Sequence, residues 1–289
     1  MKRLTLSLLT FMMSLNAVIA QNEVDLQATT NANLQLPRIQ VVPITDTRND
    51  RQYELYIKLP EAYSDTSAAR YPVIYYTDAM WHVEMLSGSA EFIMEEAILV
   101  GISWQKDSSV ELKKERGPHV SRYRDYSIRE SSNAAHQAKY QFGQAGKHLN
   151  FIRAEVIPYV ENNYQAASNQ RTYFGYSLGG EFGSYILLKQ PDTFQNYILG
   201  SPSIRGEVPI LTELNSEAPS EPNANVFISY GSLEGEAGGE IDKFTTLLKG
   251  RNDHTLSLKK LVVEGTHQSA FPMTAVQSIH WLSSLNMNN

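Results

Sequence analysis

Thr172-Tyr173-Phe174-Gly175-Tyr176-Ser177-Leu178-Gly179 is a short β-rich apolar run that ends in G-x-S-x-G and continues into a helical pattern. The five-position pattern recurs by chance, but here a strand precedes the serine and a helix follows it, which is the context of a nucleophile elbow. Such an elbow forces its serine into a strained backbone at a sharp turn. The flanking glycines keep side chains out of the close approach of helix and strand. The start of the helix aims its dipole and its free N–H groups at the turn, so the N–H of Leu178 is placed to bind an oxyanion.

Outward from the elbow, apolar β-rich runs alternate with helical patterns. Strands are predicted at 39–43, 53–59, 72–77, 97–102, 172–176, 196–200, 226–230 and 256–263, and helices at 147–163, 178–188, 240–248 and 270–285. The later strands are near-continuous apolar runs separated by helices, the signature of a parallel sheet buried on both faces. The first two strands join through a short polar connection that suits an antiparallel edge. Together with the elbow this predicts an α/β-hydrolase fold, a mostly parallel sheet with helices on both faces. The stretch 104–146 breaks the rhythm. It is far longer than the ~2–6 residues usual between strand and helix, and its Tyr, Phe and Trp content predicts an ordered, lid-like insertion.

A serine hydroxyl is a poor nucleophile unless a base takes its proton. In this fold the chain order is serine, acid, histidine, and three histidines follow Ser177. His254 lies in a polar turn and His280 inside the apolar C-terminal helix. His267 follows Leu261-Val262-Val263 directly, in a loop at the C-terminal end of a parallel strand, where the ligand crevice of such a sheet forms. His267 is therefore the expected base. The orienting acid should leave the strand end near Tyr230. Glu234 is the first choice there, Glu236 its rival and Asp242 a distant third. The second oxyanion donor should be a backbone N–H of Ala79 or Met80, in the loop after the strand at 72–77, with Asp78 fixing that loop by hydrogen bonds. Trp81, Arg122 and Arg129 are candidate substrate contacts.

The N-terminus carries Lys2 and Arg3, an apolar run to Val18, and the small-residue ending of a secretory signal peptide cut after Ala20. The run is shorter than the ~20 apolar residues of a spanning helix, and no later segment approaches that length. Residues 21–37 read as a loose lead-in and 38–289 as a single domain. The absence of Cys excludes disulfides and zinc-thiolate sites, and export without disulfides points to a Gram-negative periplasm or a secreted protein. The formal charge of −6 becomes −8 when Lys2 and Arg3 are removed, which disfavours nucleic acid as a partner. The oligomeric state is left open.

The block from Gly175 to Gly180, then Leu187-Leu188-Lys189-Gln190-Pro191-Asp192-Thr193-Phe194 and Gly200-Ser201-Pro202-Ser203, resembles the putative-esterase family of α/β hydrolases. That family holds siderophore trilactone esterases, feruloyl and acetyl-xylan esterases, S-formylglutathione hydrolases and mycolyl transferases. The resemblance runs from about Gln40 to the C-terminal helix and looks nearest to the predicted hydrolases grouped with siderophore esterases. Arg122-Tyr123-Arg124-Asp125 resembles the family's Arg-x-Arg-Asp motif. The resemblance implies Ser177 as nucleophile, His267 as base and Glu234, three residues after Gly231, as acid. It departs from the family at Ala79, where the oxyanion loop usually has glycine, and some trilactone esterases are thought to depend little on an acid.

The expected function is therefore a serine carboxylic-ester hydrolase acting on a small-molecule ester without metal or organic cofactor. An acyltransferase would use the same site with an alcohol in place of water, and a non-catalytic binding module would keep only the fold. From Lys106 to Lys147 the chain carries nine Lys or Arg against five Asp or Glu. That local reversal of sign raises an anionic, siderophore-type substrate drawn in by Lys113, Lys114, Arg116, Arg122 and Arg129.

Overall fold

Alternation within the strands splits the core into two layers. Along β3 (Tyr71–Tyr76), Val73 and Tyr75 face one apolar cluster and Ile74 and Tyr76 the other. The same alternation puts Tyr173 and Phe174 of β5 (Ala166–Tyr176) on opposite faces, as it does Val226 and Phe227 of β7 (Ala224–Gly231). The computed structural model describes residues 38–66, 68–218, 223–251 and 254–286. The expected signal peptide and lead-in, 1–37, lie outside the described residues.

One face is covered by the helices Ala145–Phe151, Ile157–Asn163, Leu178–Lys189 and Glu236–Lys249, which contribute Leu149, Val160, Phe182 and Phe244 to the larger cluster. The other face carries the helices Ala79–Ile93 and Phe271–Asn286, which bring Leu86, Ile279 and Leu282. No helix among the described residues is long and apolar enough to cross a membrane.

The eight strands lie in the order β1-β2-β4-β3-β5-β6-β7-β8, adding β1 (Ile39–Asp46), β2 (Arg51–Lys58), β4 (Ile98–Ile102), β6 (Asn196–Gly200) and β8 (Leu256–Val263). β1 pairs with β2, and β2 with β4, antiparallel; every other pairing is parallel. The antiparallel edge, the parallel body and helices on both faces are the expected α/β-hydrolase layout. From β3 the chain goes to β4 on one side of the sheet and from β5 to β6 on the other, so β3 and β5 flank the switch point at which such sheets form their ligand crevice.

Three features differ from the pattern read in the sequence. The helix Ala79–Ile93 was hidden because Ser87, Gly88 and Ser89 interrupt its apolar period, while packing between sheet and C-terminal helix holds it. The helix Val208–Glu217 is likewise absent from the sequence pattern. Its single buried side chain, Leu211, gives too little stripe to read. The helix expected at 147–163 starts at Ala145 and is broken by a π segment, Ile152–Val156. Pro158 has no N–H to donate, and the widened turn just before it absorbs that loss. The insertion at 104–146 is ordered, with short helices at Val110–Arg116, Arg122–Asp125 and Ala134–Tyr140. Buried polar residues pin it. Asp125 accepts from Arg124 at 2.8 Å and from Tyr53 of β2 at 3.0 Å, and Ser127 Oγ accepts from the Gly143 N–H at 2.8 Å.

Candidate active site

The parallel register brings the C-terminal strand ends into line. Tyr176 is opposite Gly200, Gly200 is opposite Ser229, and Gly231 is opposite Val263, so the residues that follow each strand share one rim. Ser177 follows β5 with φ 59° and ψ −121°, a positive φ that a non-glycine residue adopts only under constraint. Its N–H donates to the Gly200 carbonyl at 2.9 Å and its carbonyl accepts from the Ser203 N–H at 3.0 Å, which fixes the turn to the neighbouring strand end. Gly175 and Gly179 are required by contact. A Cβ on Gly175 would stand 2.2 Å from the Gly179 carbonyl oxygen, and one on Gly179 would stand 2.4 Å from Thr77 Oγ1.

His267 and Glu234 meet on that rim, Nδ1 to Oε2 at 2.8 Å. The carboxylate can only accept, so the proton of this contact is assigned to Nδ1, which leaves Nε2 as the basic nitrogen. Glu234 Oε1 accepts from the Gly231 N–H at 2.6 Å and from Ser201 Oγ at 2.7 Å. The loops that carry the pair are bonded to each other: Ser232 N–H donates to Val263 at 2.7 Å and Leu233 N–H to Gly265 at 2.9 Å. Tyr176 lies against the His267 ring and donates its hydroxyl to the His267 carbonyl at 2.6 Å. Burial pushes that phenol up to about 12, so it stays a donor. Glu236 turns away and pairs with Arg205 at 2.6 Å, while Asp242 pairs with Lys260 and Tyr230. Among the described residues the Ser177 hydroxyl is hydrogen-bonded to Ser203 Oγ at 3.1 Å and not to His267. Contacts of this kind are often long in an unliganded site and tighten with substrate.

On the other side of Ser177 the loop after β3 turns through Asp78, whose φ of 55° and ψ of 43° are left-handed. The Asp78 carbonyl accepts from the N–H groups of Trp81 at 2.9 Å and His82 at 3.3 Å. Ala79 and Met80 stand in the first turn of their helix, as Leu178 does in its own, where N–H groups have no intrahelical acceptor. The buried Asp78 carboxylate accepts from Trp104 Nε1 at 2.6 Å and from Arg122 Nε and Nη2 at 3.0 and 2.9 Å. Asp78 thus ties the loop to the insertion. The guanidinium of Arg122, one of the expected substrate contacts, is buried and committed in both prongs to this carboxylate. The other expected substrate cations are mostly engaged as well. Arg129 pairs with Glu207 at 2.7 Å, Arg116 donates to Tyr140, and Lys113 donates to the Lys106 carbonyl. Trp81 is 49% exposed and is held between Arg122, Trp104 and His119, at 5.0, 4.7 and 4.9 Å.

Ser201 and Ser203 carry no signal of a role in the sequence pattern itself. Both lie in the Gly-Ser-Pro-Ser block, noted only as a family marker, and what finds them is the register that sets β6 between the elbow and the acid loop. Glu181, in the first turn of the helix after Ser177, is equally silent in the sequence. Its buried carboxyl accepts from the Ile128 N–H at 3.1 Å and is pushed up to about 8 by desolvation, with no cation paired to it among the described residues. A groove of about 470 Å3 opens beside His267, lined among others by Pro202, Ser203, Arg205, Leu233 and Gln268.

A serine on a strained elbow, a histidine–carboxylate pair on the same rim and free N–H groups on both sides form a constellation able to carry out acyl transfer. Comparison with known proteins agrees with that chemistry. The sequence model of the family described as "Putative esterase" matches residues 47–261. A ferri-bacillibactin esterase of Bacillus subtilis, BesA, is 27% identical over 224 residues, 71% of this chain and 74% of that protein. The crystal structure of a BES protein from Bacillus cereus superposes with a TM-score of 0.71 at 23% identity, covering 87% of this chain and 98% of that one. An IroE-like serine hydrolase from Shewanella oneidensis gives 0.71 at 20% identity, over 85% and 80% of the two chains. The two structures share the fold. The family match spans strands, elbow and acid loop, so this chain belongs to the putative-esterase family and is a carboxylic-ester hydrolase of the α/β-hydrolase fold.

Proposed function

We propose that Ser177 is the nucleophile of this esterase, His267 its general base and Glu234 the acid that orients the base. The observation that carries the reading is the 2.8 Å contact of His267 Nδ1 with a Glu234 carboxylate anchored by two further donors. In the first step His267 Nε2 takes the Ser177 proton as Oγ attacks the ester carbonyl. The oxyanion is held by the N–H of Leu178 and one of Ala79 or Met80. The tetrahedral intermediate collapses with cleavage of the ester C–O bond, and His267 returns the proton to the leaving alcohol. Water, deprotonated by the same ring, then releases the acid and regenerates Ser177.

The substrate we propose is a small-molecule ester of the siderophore lactone type, on the strength of the ferri-bacillibactin esterase relative. Trp81 offers an exposed, rigidly held aromatic face beside the oxyanion loop for such a ligand, and Arg129 stands at the insertion's edge. The site of action is outside the cytoplasm, since the first 20 residues have the layout of a signal peptide.

A fluorophosphonate tests the chemistry, because only an activated serine reacts with it. Wild type should be labelled at Ser177, and Ser177→Ala should fold normally, escape labelling and lose about 10³ to 10⁶ in kcat. Near wild-type turnover by Ser177→Ala on any ester would end this assignment. A panel placing a ferric catecholate trilactone beside short p-nitrophenyl, feruloyl and acetyl-xylan esters tests the substrate.

A further inference from the structure

The groove beside His267 contains a cation that the catalytic reading leaves unused. Arg205 lines it together with Ser203, Leu233 and His267. Its partner is Glu236, at 2.6 Å, in a pair whose side chains are 73% and 79% exposed. Pairs so exposed contribute roughly 0–1 kcal/mol, so an incoming anion can exchange with Glu236 at little cost. The other arginines near the site are committed more deeply, Arg122 to the buried Asp78 and Arg129 to the mostly buried Glu207. Glu234 lines the same groove, but hydrogen bonds from Gly231, Ser201 and His267 take up its carboxylate.

The chemistry of the reaction fixes which half of an ester enters this groove. The leaving oxygen must come within hydrogen-bond reach of the nitrogen that returns its proton. That nitrogen is His267 Nε2, so the alcohol half lies on the His267 side and the acyl half extends past the oxyanion loop. We infer that the Ser203–Arg205–Leu233 groove is the leaving-alcohol subsite, and that Arg205 selects esters whose alcohol carries a carboxylate or similar acidic group. This rests on the proposed role of His267. Leu233, an exposed leucine, supplies an apolar wall for the alcohol's carbon skeleton, and Glu236 acts as a stand-in anion that holds Arg205 until the substrate displaces it.

Two substitutions move the preference in opposite directions. The probes are the butanoate esters of meta-hydroxybenzoate and of meta-hydroxybenzamide, which share an acyl group and differ in leaving-group charge. The quantity read is the ratio of kcat/KM for the acid over that for the amide. Arg205→Gln should lower the ratio about fivefold, the scale of one partly exposed charge-assisted hydrogen bond. Glu236→Gln should raise it about two- to fivefold by releasing Arg205, and in wild type the ratio should fall as salt shortens the screening length. A ratio that stays within twofold of wild type in Arg205→Gln, or that moves the same way in both variants, overturns the inference while hydrolysis of the amide ester remains dependent on Ser177. Amide-ester hydrolysis that survives Ser177→Ala overturns the reading of the catalytic site and this inference with it.

Discussion

Replacing Glu234 by Gln exchanges one carboxylate oxygen for an NH2 group, and the structure dictates which one. Oε1 faces two donors, the Gly231 N–H at 2.6 Å and the Ser201 hydroxyl at 2.7 Å, whereas Oε2 faces His267 Nδ1 at 2.8 Å. The Gly231 N–H is a fixed backbone donor at the end of β7 and cannot turn aside. An amide NH2 at Oε1 would be donor against donor, so the amide oxygen must take that place and its NH2 must point at His267. Nδ1 then has to accept, the ring proton moves to Nε2, and the nitrogen meant to deprotonate Ser177 is blocked. A wrong tautomer in a serine–histidine–acid triad costs about 10⁴ in kcat. Here we expect 10³ to 10⁴, about 4–5.5 kcal/mol of barrier, with thermal stability nearly unchanged because shape and burial are kept. The assay is kcat on a neutral ester beside the rate of fluorophosphonate labelling, and both should fall together. A Glu234→Gln enzyme within tenfold of wild type would refute the argument and leave a serine–histidine dyad.

Other substitutions separate the cations and the buried acid. Arg122→Met should cost about 3–5 kcal/mol by urea denaturation, since it strands the Asp78 carboxylate in a dry site, whereas Arg129→Gln should cost under about 1 kcal/mol. Equal, small losses would mean that the Asp78 pair does not hold the oxyanion loop. Burial raises the folded-state pKa of Glu181 from the ordinary 4.5 of a glutamate to about 8. A raised pKa means that the folded state holds a proton the unfolded chain has already released. Glu181 thus lowers stability progressively as pH rises from about 4.5 to about 8. Glu181→Gln keeps an acceptor for Ile128 and removes that slope, so its melting temperature should gain on wild type by several degrees at pH 8 and little at pH 5. A gain that does not depend on pH would place the effect in packing.

What could be read in the sequence followed from patterns confined to one element. The strand–serine–helix order of 172–180 needs no distant contact to interpret, and each apolar run announces its strand. The parallel body and the antiparallel edge are therefore legible, with strand ends within three residues except at β5, which starts six residues earlier, at Ala166. The helix Ala79–Ile93 did not, because its stability comes from packing on both sides and not from a stripe of its own. At the site the limit has the same origin. Proximity to a strand end ranked Glu234 over Glu236, but what holds the Glu234 carboxylate is the meeting of three chain segments at Gly231, Ser201 and His267.

Charge was the least legible property. A count of Lys and Arg over 106–147 registers every cation equally, and the fold then commits Arg122 to Asp78, Arg124 to Asp125, Arg129 to Glu207 and Lys106 to Glu54. Each partner lies outside the cation's own turn of chain except Asp125, so composition within the window could not reveal the pairing. Arg205, which sits in an unremarkable turn after β6, lies outside that window altogether. It becomes a candidate for recognising an anion only because the register of β5 to β8 sets its loop against His267. Electrostatic attraction of a substrate depends on the charges left uncompensated along its path, and those are properties of the fold.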